Sequence, residues 1–389
     1  MQKEPTSERI HIGIFGRRNA GKSSLINALT NQDIAITSNV LGTTTDPVLK
    51  SMEILPIGPV TIIDTPGLDD TGELGELRIK KTYSVLNKTD IALVVIDPSV
   101  GRGEFEDELI KKIERKQIPY LVVCNKSDTI KDRAKDTFYV SAKTGENINE
   151  LRIAISKIHT APMYEYPIIS DLIKSGDTVV LVIPIDSAAP KGRIILPQVQ
   201  TLREILDNNA SAISLQPSEL CEALNNMKKP PRLVVTDSQA FAEVSKIVPR
   251  DIPLTSFSIL FARHKGELLR QLESVKTLDS LKNGDTILIS EGCTHHRQCD
   301  DIGTVKLPKM LEHYSKANIN FEFSSGGGFP EDLTKYRLII HCGACMITER
   351  EMKYRIRRAM DFDIPITNYG MAIAKMTGIL ERASAPLLK

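Results

Sequence analysis

The residues of this chain best suited to chemistry fall into two groups, one toward each end. In the first, Gly16-Arg17-Arg18-Asn19-Ala20-Gly21-Lys22-Ser23 fits G-x-x-x-x-G-K-[ST], directly after an apolar run of strand length and directly before a helical pattern. Gly16 and Gly21 let backbone amides close around phosphate oxygens at a helix N-terminus, with Asn19, Ala20 and Ser24 completing the loop. Lys22 places a positive charge between the β- and γ-phosphates, and Ser23 can ligate Mg2+. Asp64-Thr65-Pro66-Gly67 ends a strand, so its carboxylate can hold Mg2+ through water while the Gly67 amide senses the γ-phosphate. Asn125-Lys126-Ser127-Asp128 also ends a strand. Asp128 can accept both N1–H and the 2-amino group of guanine, a pairing adenine cannot make. Ser141-Ala142-Lys143 supplies a second base-binding loop. The four segments, in this order, specify a GTP site.

The second group is sulfur. Of six cysteines, Cys293, Cys299, Cys342 and Cys345 cluster near the C-terminus in the company of His295, His296 and His341. In a reducing compartment such clustering points to metal rather than to disulfides. Cys293-Thr294-His295 follows one apolar run, and His341-Cys342-Gly343-Ala344-Cys345 follows another. If both runs are parallel strands of one sheet, their carboxyl ends share an edge, where α/β sheets place their ligands. The chemistry alone leaves two metals open: structural zinc in a Cys3His set, and a 4Fe–4S cluster on Cys293, Cys342 and Cys345 with one replaceable corner. For the fourth position the candidates are His341, His295, Asp300 and Cys299. His296 and His313 read as packing or solvent-facing residues, and Cys124 and Cys221 as small buried hydrophobes.

The elements that must position these groups alternate along the chain, which predicts α/β architecture. Strands are expected at Ile10–Phe15, Val60–Ile63, Ile91–Ile96 and Tyr120–Cys124, with helices at Ser23–Leu29, Glu76–Leu86, Glu104–Lys116 and Ile148–Ile158. This is a mostly parallel sheet with helices on both faces, over residues 1–160. Ala161–Ile169 reads as a linker into a small middle α/β block, 161–262, which carries no recognisable chemistry and fits packing or oligomerisation. A third α/β block, 263–389, holds the thiols, with strands near Thr286–Ser290, Asn320–Phe323, Leu338–Ile340 and Ile364–Thr367. No short-period repeat is evident, and Gly326-Gly327-Gly328 reads as a loop.

Composition bounds the function. At 389 residues, two or three domains are expected at roughly 150 residues each. Lys plus Arg, 50, nearly cancels Asp plus Glu, 49, so no overall field favours nucleic acid or an anionic membrane. The polar start, Met1–Arg9, does not resemble a secretory signal, and the apolar runs are too short to cross a bilayer, so a cytoplasmic location is expected.

The first block resembles the translation-factor-related GTPases of the Era and TrmE type over about residues 9–159. Gly42-Thr43-Thr44-Thr45-Asp46 looks like their G-T-T-x-D switch, in which Thr44 would complete the Mg2+ shell. Leu68 stands where Ras-like enzymes carry a water-orienting glutamine, so intrinsic hydrolysis should be slow. In TrmE-like proteins an asparagine at the position of Asn19 helps bind K+ beside the phosphates, which implies potassium activation. A GTPase block, a middle block and a terminal C-x-H…H-C-x-x-C block together resemble the HydF family of FeFe-hydrogenase maturation GTPases across essentially the whole chain. The resemblance implies a 4Fe–4S cluster on Cys293, Cys342 and Cys345. It also implies a homodimer through the middle domain, two radical-SAM maturases (HydE- and HydG-like) as partners, a transient diiron precursor, and apo FeFe-hydrogenase as recipient. No membrane or nucleic acid is expected. The competing reading is an RNA- or ribosome-associated GTPase with structural zinc; near-zero net charge and the lack of a KH signature weigh against it. A third, a redox enzyme with an iron–sulfur centre, lacks any flavin or nicotinamide motif.

Overall fold

The structure is a computed structural model that describes residues 9–30, 48–55, 57–65, 82–130, 133, 137–158, 166–185, 194–266, 268–292, 302–326, 328–343 and 347–388. The chain divides into two compact units, Met1–Pro162 and Met163–Lys389.

In the first unit the strands are β1 (Ile10–Phe15), β2 (Val48–Ile54), β3 (Gly58–Asp64), β4 (Ile91–Ile96), β5 (Tyr120–Cys124) and β6 (Phe138–Tyr139). They form one sheet in the order β2-β3-β1-β4-β5-β6, parallel except for the β2–β3 pair. β4 is buried along its whole length, as expected of a parallel strand covered on both faces. Alternation along β1 sorts the two cores. Ile12 and Ile14 pack with Leu25 and Ile26 of the helix Lys22–Thr30 and Leu151 of the helix Ile148–Ile158, whereas Phe15 packs with Leu109 and Ile113 of the helix Glu104–Arg115. The expected helix Glu76–Leu86 falls mostly outside the described residues.

The second unit holds two sheets. β7 (Thr178–Val182), β8 (Ser211–Leu215), β9 (Leu233–Thr236) and β10 (Leu254–Ser256) lie in the order β10-β9-β7-β8. β11 (Thr286–Glu291), β12 (Asn320–Ser325), β13 (Leu338–His341) and β14 (Ile366–Asn368) lie in the order β12-β11-β13-β14. Every pairing in both sheets is parallel. One continuous core includes Val179 and Leu181 of β7, Ile287 and Ile289 of β11, and Phe261 and Met371 from helices Phe257–Lys265 and Tyr369–Met376. Arg382, in the helix Leu380–Ser384, ties the end of the chain to the segment before β10 by donating to the carbonyls of Ser245, Val248, Pro249 and Ile252.

Three expectations need correction. The residues 168–169 assigned to a linker are buried core of the second unit, because Ile168 and Ile169 pack under the helix Phe257–Lys265 and Glu204 accepts from their amides. Cys221 is exposed: its neighbour Leu220 takes the core-facing position on the helix Leu220–Asn226. The expected border between residues 262 and 263 falls inside the helix Phe257–Lys265.

Candidate functional site

The phosphate loop leaves the end of β1 and enters the helix Lys22–Thr30. Gly16 has φ +148°, and a Cβ there would lie 2.2 Å from Val95 O on the neighbouring strand β4. Gly21 has φ +87°, and a Cβ would lie 2.2 Å from Asn125 Nδ2. Both glycines therefore make room for the protein's own chain as well as for a phosphate. Asn19 is also left-handed, at φ +59°. Lys22 is buried, and its Nζ donates to Gly16 O at 2.9 Å and Arg17 O at 2.8 Å, which strings it across the loop.

Asp64 ends β3 beside this helix, and Ser23 Oγ donates to Asp64 Oδ2 at 3.3 Å. Burial raises the Asp64 carboxyl above its ordinary range, and the charges of Lys22 and Lys50 only partly offset that. A half-buried carboxylate short of positive charge, with a hydroxyl beside it, suits a hard divalent cation. Thr65 Oγ1 anchors the following turn by donating to Ile14 O at 2.6 Å. Thr44 and Gly67 lie outside the described residues, as does Leu68.

Asn125 is the hinge of the base side. Its Nδ2 donates to Ala20 O and Gly21 O, each at 3.2 Å, and its Oδ1 accepts from Ala142 N at 3.0 Å. One buried side chain thus locks the phosphate loop to both base loops. Ser141 Oγ donates to Asp128 Oδ1 at 2.7 Å, aiming the exposed carboxylate, and Lys126 pairs with Asp97 at 2.6 Å. Lys143 and Ser24 are exposed. Sequence reasoning missed Arg17, Asp97 and Glu106. Arg17 is held by Glu106 of the helix Glu104–Arg115 at 2.7 Å, and the same carboxylate accepts from Gly103 N. No motif marks Glu106; its place in the first turn of a helix is the available signal.

At the other end of the chain, β11 and β13 are parallel neighbours with Ser290 opposite His341. Gly292 and Cys342 therefore leave the sheet side by side, and Gly292 N donates to Cys342 Sγ at 3.1 Å. Cys293, His295, His296, Cys299, Asp300 and Cys345 lie outside the described residues. Among the described residues no group of three His, Cys, Asp or Glu side chains is placed to hold a metal ion. What is described fits a thiolate site: a partly exposed sulfur at a sheet edge, already accepting an amide hydrogen.

His341 departs from expectation. It belongs to the strand and is wholly buried, and both ring nitrogens are engaged, Nε2 by Arg355 at 2.8 Å and Nδ1 by Cys342 O at 2.9 Å. Arginine can only donate, so Nε2 accepts and Nδ1 carries the proton. Burial first, and the Arg355 charge next, push the imidazolium down to about 3, which keeps the ring neutral. As placed, it has no nitrogen left for a metal, which argues against it as fourth ligand. Arg355, which the sequence did not single out, is also fully buried and donates to Glu351, Ser290 and Gly326 O.

Three family models match the chain: a 50S ribosome-binding GTPase over residues 11–126, a hydrogen maturase F dimerization domain over 168–266, and a hydrogen maturase F tetramerization domain over 270–386. The chain is 38% identical over 158 residues to the tRNA modification GTPase MnmE of Legionella pneumophila (strain Corby), covering 39% of this chain and 35% of that protein. It is 32% identical over 175 residues to the GTPase Der of Wolinella succinogenes, covering 40% and 37%. These matches thus span 35–37% of the length of the curated relatives. The structure of a variant of Aquifex aeolicus Era bound to GDP.AlF4- aligns over 81% of this chain and 93% of its own, at 18% identity and a TM-score of 0.35.

Proposed function

We propose, for a chain that belongs to the hydrogen maturase F family and carries a GTPase domain that binds GTP and Mg2+, the role of a scaffold and carrier in FeFe-hydrogenase maturation. Its cargo is the diiron subcluster. Two radical-SAM maturases supply the precursor, the apo hydrogenase receives the product, and GTP hydrolysis switches these associations without itself making cofactor bonds. Self-association accords with the family domains at 168–266 and 270–386, the homodimer forming through the first of them.

The observation that carries this reading is the pairing of β11 with β13. It sets Gly292, the residue before Cys293, against Cys342, the first thiol of the C-x-x-C turn. Cys293, Cys342 and Cys345 would hold a 4Fe–4S cluster; bound there, it supplies an iron with a replaceable ligand for the incoming precursor. With His341 committed to Arg355 and Cys342 O, the fourth-ligand candidates left are His295, Asp300 and Cys299. The test is anaerobic reconstitution with iron and sulfide, followed by metal analysis and EPR of the reduced protein. Cluster iron and sulfide with a cluster signal are expected; stoichiometric zinc and no signal would overturn the reading.

In the nucleotide site, Lys22 would neutralise the β- and γ-phosphates, Asp64 and Ser23 would hold Mg2+ with Thr44 completing its shell, and the Gly67 amide would sense the γ-phosphate. Turnover is slow, because Leu68 cannot orient water, and Asn19 recruits K+ beside the phosphates. Rates equal in KCl and NaCl at matched ionic strength would remove the potassium step. Lys22→Ala should abolish turnover and leave iron loading intact; losing both together would contradict a switch separate from the cluster.

The similarity to a tRNA modification GTPase keeps a second reading alive, an RNA-associated GTPase with structural zinc. It covers only the N-terminal part of the chain, and the same metal analysis decides between them.

A further inference from the structure

The two sheets of the second unit are copies of one design. Each opens on Gly-Asp-Thr, Gly176-Asp177-Thr178 and Gly284-Asp285-Thr286, with the glycines at φ +83° and +87°. Asp177 accepts from Lys174 N, and Asp285 from Lys282 N, each at 2.8 Å. The third strands read Leu233-Val234-Val235-Thr236 and Leu338-Ile339-Ile340-His341. The fourth follow Asp251-Ile252-Pro253 and Asp363-Ile364-Pro365, and their last residues, Ser256 and Asn368, cap the next helix by accepting from Ile259 N and Met371 N.

The duplication supplies an internal control. A residue required by the fold should recur in both copies, and one required by the thiol edge should occur in one. The apolar frame recurs: counted back from Asp-Ile-Pro, Val244 and Ile356 occupy the same place, and both are buried. The buried polar set does not recur. Thr236 stands where His341 does, Asp237 where Cys342 does, and Val182 where Ser290 does, since Val182 faces Thr236 as Ser290 faces His341. Glu243, exposed, stands where Arg355 is fully buried. Burying a guanidinium with its carboxylate is costly, and the other copy folds without one.

We infer that Arg355 is a positioning residue for the Cys342 edge. Its fork joins three strand ends, donating to Ser290 Oγ at 3.3 Å, His341 Nε2 at 2.8 Å and Gly326 O at 2.6 Å, while Glu351 holds its Nε at 2.9 Å. By making Nε2 the acceptor it fixes the His341 tautomer, whose Nδ1–H then donates to Cys342 O. Through Ser290 it also steadies the strand that delivers Gly292 N to Cys342 Sγ. His341 therefore orients the thiolate loop and is not a ligand. The inference rests on the reading of Cys342 as a cluster ligand, and its test separates the two.

Four variants of the full chain serve: Arg355→Met with Glu351→Leu, which replaces the ion pair by apolar side chains and preserves folding; Arg355→Lys; His341→Gln, which keeps an acceptor for Arg355; and Glu243→Gln in the other copy. Each is reconstituted with iron and sulfide, and iron release to a chelator is timed. Hydrogen exchange of the Gly292 amide is measured on the metal-free proteins. The Arg355→Met/Glu351→Leu protein should melt cooperatively, yet release iron about 10- to 100-fold faster and lose Gly292 protection. Arg355→Lys should fall between it and the wild type. His341→Gln should stay close to the wild type, any imidazole nitrogen coupling in the pulsed EPR of the wild-type cluster should persist in it, and Glu243→Gln should change nothing. Wild-type release and wild-type exchange in the folded Arg355→Met/Glu351→Leu protein would overturn the inference, as would nitrogen coupling lost in His341→Gln. If the wild type takes up no cluster, the functional reading fails, and Gly292 exchange alone then decides whether Arg355 positions the edge.

Discussion

Asp128, the residue proposed to read guanine, is held in place by the Ser141 hydroxyl at 2.7 Å. Asp128→Asn turns one acceptor into a donor, which suits the 2-oxo group of xanthine instead of the 2-amino group of guanine. GTP affinity should fall by about 10^4-fold while XTP binding appears, measurable by titration with fluorescent nucleotides. Asn125 carries a different load, three bonds that join three loops. Asn125→Ala should cost about 2–4 kcal/mol of stability in the first unit, read by urea unfolding, with nucleotide affinity falling alongside. These residues were legible in the sequence because each acts through its own short loop. Arg355 was not. The helix Glu349–Asp361 also contains Arg350, Arg357 and Arg358, and a single arginine in such a pattern reads as solvated. The signal that was there is its phase: Arg355 falls on the stripe formed by Met352, Ile356 and Ala359, all buried.

Among the elements, the central strands could be read from unbroken apolar runs, and the edges β12 and β14 could be read too, whereas the edge strands β2 and β8 could not. β8, Ser211–Leu215, has no buried residue, and the apolar residues of β2, Val48–Ile54, are interrupted by Lys50, Ser51 and Glu53; pairing partners decide both. The helix Phe257–Lys265 makes a measurable prediction. His264 lies buried within it, with Nδ1 on Tyr166 O at 2.7 Å, and burial lowers its pKa below the ordinary 6.5. The unfolded chain therefore binds a proton that the folded chain refuses, so stability is full above that value and is lost as pH falls through and below it. The denaturation midpoint of the metal-free protein should drop between pH 7.5 and pH 5. His264→Gln should make the slope shallower, and the remainder comes from His341, which burial lowers in the same direction. A midpoint flat across this range would show that neither ring is neutral in the fold.

At the scale of the molecule, the shared core changes what counts as a domain. Sequence reading divides the chain in three, and the family models meet between residues 266 and 270, yet Ile287, Ile289 and Met371 pack into the same core as Val179, Leu181 and Phe261. Residues 163–389 should therefore unfold in one cooperative transition, and residues 163–266 alone should lack one because half of that core is missing. Two separate transitions in the longer fragment would argue for independent domains. The repeat that underlies this core escaped the sequence reading because its copies differ at the polar positions and lie far apart. The paired segments Asp251-Ile252-Pro253-Leu254-Thr255 and Asp363-Ile364-Pro365-Ile366-Thr367 are where it is visible.

The sequence by itself determined the nucleotide chemistry and the α/β class. The motifs proposed to meet phosphate, magnesium and guanine are each a few contiguous residues at a strand end, so spacing along the chain stands in for distance in space. Only the tertiary structure could decide which strand ends are neighbours, that Gly292 meets Cys342, that His341 is spent on Arg355, and that two sheets share one core. Those are contacts between distant segments, fixed by parallel pairing and burial, and no local pattern of residues encodes them.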